Sequence, residues 1–453
     1  MTPARLVAFA VIRRVFESGA WADRALEAEA GRAGLDARER ALATRLAFEV
    51  VQRRATLDHL ASLLAGRPVD RLEPAVLAAL RLGLVQLAFL DGIAPHAAVD
   101  QSVELAKPAS PGGARLVNAV LRRAVAEAPD LLAALGDEDP ESAALRHSLP
   151  EWVVRMWWEC LGPAQARALA RAANEPAEHA VRANALLATA AEVRAGLAAR
   201  GVAAGPAPGM PEGLVLRGPF DVHGSDLYEA GALMPQSRAA MLVARALEPR
   251  PGEVVLDLCA APGGKATHLA ALTGREGRVV AVERRPARAA ALRRTVARMR
   301  AGGIVSVLQA DAATLSVSER FDAALADPPC SGLGTLRSRP DIRWRADPGS
   351  VEGLARAQRA ILLAGARALR PGGRVVYATC TISPRENEGV IAAALDADPG
   401  LEVDDLGAAA PGLRHPANPR FLLTLPHRDG TDGFFISRLR RTLPPAARRI
   451  DAP

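Results

Sequence analysis

Over the first quarter of the chain, apolar positions recur at spacings of three and four and never alternate. Between Pro3 and about Val125, segments such as Ala41–Arg53, Glu73–Asp91 and Ala97–Ala106 carry apolar residues at i, i+3 and i+4, which predicts helices throughout. Gly92 and Pro95 punctuate the last two. Residues 126–150 are acidic and broken by prolines, a connector with short helices. Glu151–Asn174 is predicted helical, with Cys160 inside it as a small buried apolar side chain.

The pattern then changes twice. His179–Asn184 reads as a strand, and Thr189-x-x-Glu192 as a capping box opening a helix that Gly201 closes. A Gly/Pro-rich loop, Gly205–Gly213, leads to a strand at Leu214–Arg217, giving a small α/β subdomain. From about Pro251, short apolar runs at 254–259, 278–283, 304–310, 321–327 and 374–380 alternate with helical stretches. Such runs predict buried parallel strands covered by helices on both faces. Phe421–Leu425 and Phe434–Leu439 should pair antiparallel. The partition expected is a helical domain at 1–128, a helical connector at 129–178, the small α/β subdomain at 179–240 and an α/β domain at 241–443.

With 453 residues, 49% of them hydrophobic and 24% charged, the chain has a globular composition. The longest uncharged apolar run, about Gly83 to Leu90, is far short of the roughly 20 residues a membrane helix needs. The N-terminus carries arginines at helical spacing and no signal-peptide core, so a cytoplasmic protein is expected. Four cysteines (160, 259, 330, 380) form neither a disulfide framework nor a metal pattern. The net charge of +7 suits a polyanionic partner. Only Lys107 and Lys265 are lysines, so a lysine here stands out against an arginine background.

The first strand of the α/β domain runs into Cys259-Ala260-Ala261-Pro262-Gly263-Gly264-Lys265 and then a helix. A glycine turn of this kind lets a ligand approach free helix N–H groups. It is not the Gly-x-Gly-x-x-Gly of a dinucleotide enzyme. Glu283 ends the second strand, where a carboxylate can accept ribose hydroxyls; Asp311 follows the third and Asp327 ends the fourth. Cys330 and Cys380 lie at the carboxyl ends of the fourth and fifth strands, where ligands of open α/β sheets bind. Spacing alone leaves open which thiol would attack.

VLDLCAAPGGKATHLA, DPPCSG and YATCTISPRENEGVI together resemble the S-adenosylmethionine-dependent RNA cytosine-5 methyltransferases. The stretch at 93–124 is similar to the NusB-like RNA-binding fold: Val103, Glu104, Ala106, Lys107 and Val117–Arg122 fit its pattern, with Asp100 and Gln101 in place of the usual Asn-Glu pair. The combination resembles the bacterial 16S ribosomal RNA cytosine-5 methyltransferases of the RsmB (Sun/Fmu) type, and LPHRDGTDGFFISRL resembles that family's ending. The resemblance implies a multidomain chain: an all-α NusB-like N-terminal domain, a small α/β subdomain and a C-terminal α/β Rossmann-like methyltransferase domain.

By that resemblance Cys259–Lys265, Glu283, Asp311 and Asp327 bind S-adenosylmethionine. Cys380, in Thr-Cys, is the nucleophile, and Cys330 acts in releasing product. Asp327 would hydrogen-bond the cytosine edge, and Lys265 would set a cation beside cofactor or base. Cys259 reads as a packing residue rather than a nucleophile, and Glu386-Asn387-Glu388 as N-terminal helix capping. The partner implied is RNA, 16S ribosomal RNA free or in an early small-subunit particle, with a monomeric enzyme and neither membrane nor metal. Arginines at 284–300 read as a solvated helix face; Arg337, Arg339, Arg343 and Arg345 read as phosphate contacts. A transfer RNA methyltransferase, or a non-catalytic ribosomal RNA assembly factor, are the competing readings.

Overall fold

The computed structural model describes residues 1–218, 220–317 and 320–442. They divide into two compact units, Met1–Pro176 with Leu336–Ala346, and Ala177–Thr335 with the chain from Asp347 onward.

The first unit is all helix apart from its turns. Ten α-helices run from Pro3–Ser18 to Pro163–Ala172. Their apolar faces meet in one core, which includes Val11, Leu46, Leu57, Leu80 and Leu121. Each such buried aliphatic side chain is worth about 1.5–3 kcal/mol. Pro74–Ala88 is the central helix and is buried around most of its circumference. Gly83 makes that possible: a Cβ there would lie 2.4 Å from Leu121 Cδ1, so only glycine admits the neighbouring helix this closely.

Two expectations in this unit change. The helix Pro111–Ala133 continues through Pro129, because Ala124 and Ala128 on its inner face are buried in the core and that packing outweighs the missing N–H. Glu151–Asn174 is two helices, Glu151–Leu161 and Pro163–Ala172, broken at Gly162 with φ +81°. Cys160 is half-buried.

The second unit holds two sheets. Strands β1 (Ala180–Ala183), β2 (Ala203–Ala207), β3 (Met210–Arg217) and β4 (Leu233–Pro235) form an antiparallel sheet ordered β2-β3-β1-β4. Thr189 and Glu192 close the expected capping box, and Gly201 is left-handed. The expected loop Gly205–Gly213 is instead a hairpin, since β2 pairs with β3 across Pro208-Gly209. Proline fixes φ and Gly209 takes φ +73°, which is what a tight turn needs. Alanine, glycine and proline have little strand preference, so pairing rather than propensity makes this strand.

The large sheet contains β5 (Val254–Asp257), β6 (Arg278–Val282), β7 (Val305–Leu308), β8 (Phe321–Ala326), β9 (Leu369–Thr379), β10 (Leu401–Val403), β11 (Leu422–Thr424) and β12 (Phe434–Arg441). Its order is β10-β12-β9-β8-β5-β6-β7, with β11 on β12. β5 to β9 are parallel; β12 is antiparallel to β9 and, as expected, to β11. The short β10 was not foreseen. The last residue of the expected 241–443 domain, Leu443, lies outside the described residues.

Candidate active site

Strand register determines which loops meet. Asp257 pairs with Ala281 on one side and Leu325 on the other, Val282 with Leu308, and Ala326 with Tyr377. The carboxyl ends of β5, β6, β7, β8 and β9 therefore come level. The loops carrying 258–265, Glu283, Asp311, Asp327 and Cys380 all leave from one edge, with antiparallel β12 entering the sheet beside them.

The turn after β5 is anchored by backbone bonds from Leu258 to Leu325 and from Ala260 to Val282, and by Arg288 donating to the Ala261 carbonyl at 2.7 Å. Pro262 leads to Gly263, whose φ is +113° and whose absent Cβ would sit 3.0 Å from Leu292 and Thr295. The helix Gly264–Thr273 then opens with no side-chain cap, leaving its first N–H groups for a ligand. Arg182, fully buried, braces the turn by donating to Gly264 O and Thr267 Oγ1. Glu283 accepts from the Arg285 amide at 2.8 Å and faces Arg288 at 3.3 Å. Asp311 caps a short 3-10 turn and lies 3.3 Å from Arg284.

Lys265 Nζ is 2.7 Å from Asp327 Oδ2 and 5.3 Å from the Phe434 ring centroid. Burial works against its charge, but Asp327, with Cys380 and Asp257 behind it, raises its pKa above the ordinary lysine value. Asp257, overlooked in the sequence, is buried beneath this pair. Neither of its oxygens has a hydrogen-bond partner of proper geometry, and the Cys259 amide gives only a weak electrostatic contact. Burial first, then the Asp327 charge, push its pKa up to about 7. Burial and the Asp257, Asp327 and Glu283 carboxylates also push the Cys259 thiol up, which suits packing and not nucleophilic attack.

The two other thiols meet: Cys330 Sγ and Cys380 Sγ are 3.1 Å apart. Gly334 donates to the Cys380 carbonyl at 3.0 Å, and Gly433, just before β12, donates to Gly334 O at 2.8 Å. Beneath the thiols lies a buried polar cluster. Glu386 accepts from the Ser331 amide at 2.8 Å, the Ser331 hydroxyl and Gln358 Nε2 at 3.0 Å. Ser331 Oγ also lies 2.7 Å from Thr381 Oγ1. Asn387 accepts from Thr379 Oγ1 at 2.6 Å and donates to Thr381 O at 3.1 Å. The capping expectation for Glu386 and Asn387 is thus corrected: both side chains turn back to the cysteine loops, and Asn387 makes no side-chain cap. The cysteine bond comes first, then burial and the charges on Cys380, Glu386 and Asp327, in raising the Cys330 pKa well above an ordinary thiol's.

Of the arginines after Cys330, Arg339 is exposed, and Arg343 reads differently in the structure. Arg343 is fully buried in the helical unit, donating to the carbonyls of Gln52, Ser148, Ala173, Leu336 and Pro340 and to Asn174 Oδ1. Arg345 donates to Gly19 O and Ala20 O, and Arg337 to Pro176 O. Arg343 has no free face for a phosphate. The arginine-rich helix Pro286–Arg298 is solvated as expected, except that Arg298 packs on the Tyr228 ring at 3.6 Å.

Residues 2–126 match the NusB family model, 149–223 a ferredoxin-like domain of RsmF/B-like methyltransferases, and 244–440 the 16S rRNA methyltransferase RsmB/F model. The ribosomal RNA small subunit methyltransferase B of Thermus thermophilus is 35% identical over 438 residues, covering 96% of this chain and 97% of its own. The chain belongs to the ribosomal RNA small subunit methyltransferase B family. Its Pseudomonas putida member is 33% identical over 96% of this chain and 98% of its own. The crystal structure of PH0851 superposes with a TM-score of 0.82 at 26% identity, covering 97% of this chain and 99% of that one. A methyltransferase homologue from Pyrococcus horikoshii gives 0.59 at 28% identity over 67% and 98%.

The family methylates RNA with S-adenosylmethionine, and the turn fits that cofactor: Gly263 leaves space where a Cβ would clash, and Asp257 is an orphaned buried carboxylate beneath it. Among the described residues no helix is long and apolar enough to cross a membrane, and no cluster of three His, Cys, Asp or Glu could hold a metal ion.

Proposed function

We propose that this protein methylates carbon 5 of one cytosine in 16S ribosomal RNA through a covalent bond between Cys380 and carbon 6. The observation that carries this reading is the Cys330–Cys380 contact of 3.1 Å at the edge where the cofactor turn also opens. Carbon 5 of cytosine is too weak a nucleophile to take a methyl group unaided. When the Cys380 thiolate adds to carbon 6, the electron pair of the carbon 5–carbon 6 double bond moves onto carbon 5 and activates it. S-adenosylmethionine supplies the electrophilic methyl group.

The residues that hold the cofactor are Cys259–Lys265 through the turn, Glu283 at the ribose, and Asp311 and Asp327. Asp327, fixed by Lys265, also meets the cytosine's N3/N4 edge, accepting from the amino group and favouring protonation at N3 as electron density builds there. Once Cys380 is bonded to carbon 6 its charge no longer opposes a second thiolate, so Cys330 releases its thiol proton to solvent and, in the closing step, takes the carbon-5 proton. The freed C–H pair restores the double bond, and the S–C6 pair returns to Cys380. The NusB-like domain favours ribosomal over transfer RNA.

Transfer of label from S-adenosylmethionine to unmodified small-subunit RNA and to transfer RNA, with bisulfite mapping, tests the reading. A single methylated cytosine in the ribosomal RNA is expected. Label confined to transfer RNA would overturn the substrate, and label at a position other than carbon 5 would overturn the chemistry.

A further inference from the structure

Of the groups around the thiols, Glu386 is the least explained by packing. It is completely buried, accepts three hydrogen bonds from Ser331 and Gln358, and has no ion-pair partner among the described residues. A buried carboxylate is costly to desolvate, and a glutamine could accept the Ser331 amide equally well. The geometry shows what the acid adds. Ser331 follows Cys330 directly and Thr381 follows Cys380, so the chain Glu386–Ser331–Thr381 joins the residues next to both sulfurs.

We propose, on the covalent reading above, that Glu386 is a positioning residue. It sets Cys330 as the S–H donor to Cys380 and places the pair's single negative charge on Cys380. The groups facing Cys330 agree in sign: the Cys380 thiolate, Glu386 and Asp327 all oppose a second thiolate, as the raised Cys330 pKa reflects. Tyr377, which donates to the Glu386 carbonyl and whose pKa burial pushes well above the ordinary tyrosine value, is neutral. Lys265, the cation that acts on Cys380, is bonded to Asp327, and the Cys380 charge in turn raises the Lys265 pKa. Two adjacent thiols of identical chemistry thereby acquire different tasks, one a nucleophile and one a proton carrier.

The test is the pH dependence of iodoacetamide alkylation at each cysteine of the full chain, resolved by mass spectrometry, without RNA or methyl donor. In the unmodified sequence Cys380 should react about tenfold or more faster than Cys330 near neutral pH, one pKa unit being tenfold. Glu386→Gln should move the Cys330 profile to lower pH by about one unit and bring the two rates together. Glu386→Asp, which keeps the charge, should retain the difference. Should Glu386→Gln fail to bind S-adenosylmethionine and so prove misfolded, Ser331→Ala decides, because loss of the hydroxyl bridge should narrow the rate ratio severalfold. An unchanged Cys330 profile in folded Glu386→Gln, or an unchanged rate ratio in Ser331→Ala where Glu386→Gln is misfolded, overturns the proposal. Alkylation needs no methyl transfer, so its outcome is separate from the fate of the cytosine-5 reading.

Discussion

Around Asp257, Lys265 and Asp327 the site holds charge that the fold only partly compensates, whereas around Cys330 and Cys380 nearly every polar atom has a partner. Asp257 is buried with both oxygens unpaired, and Lys265 carries a raised pKa beside Asp327, Cys380 and Asp257. Glu386, Asn387, Gln358, Ser331 and Thr381 are joined to one another within 3.1 Å wherever a distance bears on them. The first half is poised for a ligand that completes it. The second is already assembled, as the proposed nucleophile needs to be if its geometry is not to be rebuilt on each turnover.

The most severe way to break this contrast is on the thiol side. Cys380→Ala should lower methyl transfer by at least about 10⁴-fold, roughly 5 kcal/mol of barrier, with S-adenosylmethionine affinity measured by calorimetry unchanged. Substantial residual turnover would move the nucleophile elsewhere.

Arg343→Ala should destabilise the helical unit by about 3–5 kcal/mol, since six acceptors lose their donor in a buried site. Unfolding in urea checks this. Normal stability with weakened RNA binding would restore the phosphate reading of that arginine.

Asp257 sharpens the comparison through pH. Its folded pKa of about 7 lies above the ordinary carboxylate value, so the folded state favours the protonated acid. The stability this gives is complete below about pH 4 and is lost as pH rises through about 7. Asp257→Asn should therefore gain on the order of 2–4 kcal/mol at pH 8 in the cofactor-free protein and nothing below pH 4. Parallel stability curves across that window would contradict the account. At the small end, Arg284→Ala, which removes an exposed partner of Asp311, should change stability by under about 0.5 kcal/mol.

The same contrast explains what the sequence disclosed. The half proposed to hold the cofactor is contiguous from Cys259 to Lys265, and the acids that follow sit at strand ends, so periodicity and spacing single out these positions while the family resemblance assigns them to the cofactor. Asp257 was hidden because it lies inside an apolar strand, although an acid in such a run is itself a signal. The thiol half is built from residues 331, 358, 377, 381, 386 and 387, whose proximity exists only once β8 and β9 pair. Cys330 and Cys380 were visible as strand-end thiols, but the Glu386-Asn387 pair had the look of helix capping, which local sequence allows and the tertiary fold overrides. For the same reason the arginines after Cys330 suggested a surface: nothing local reveals that residues 336–346 are a piece of the helical unit. Helices with one apolar face and continuous apolar strands were legible; the Ala-Gly-Pro strand β2 was not, because only its partner makes it a strand.

The central claim is that Cys380 and Cys330 divide one covalent reaction. It is tested most directly by incubating Cys330→Ala protein with small-subunit RNA and S-adenosylmethionine, denaturing, and mapping the RNA-bound peptide by mass spectrometry. The account predicts a denaturant-resistant adduct through Cys380 to a cytosine already methylated at carbon 5. Free, fully methylated product with no adduct, or an adduct through any other residue, would contradict it.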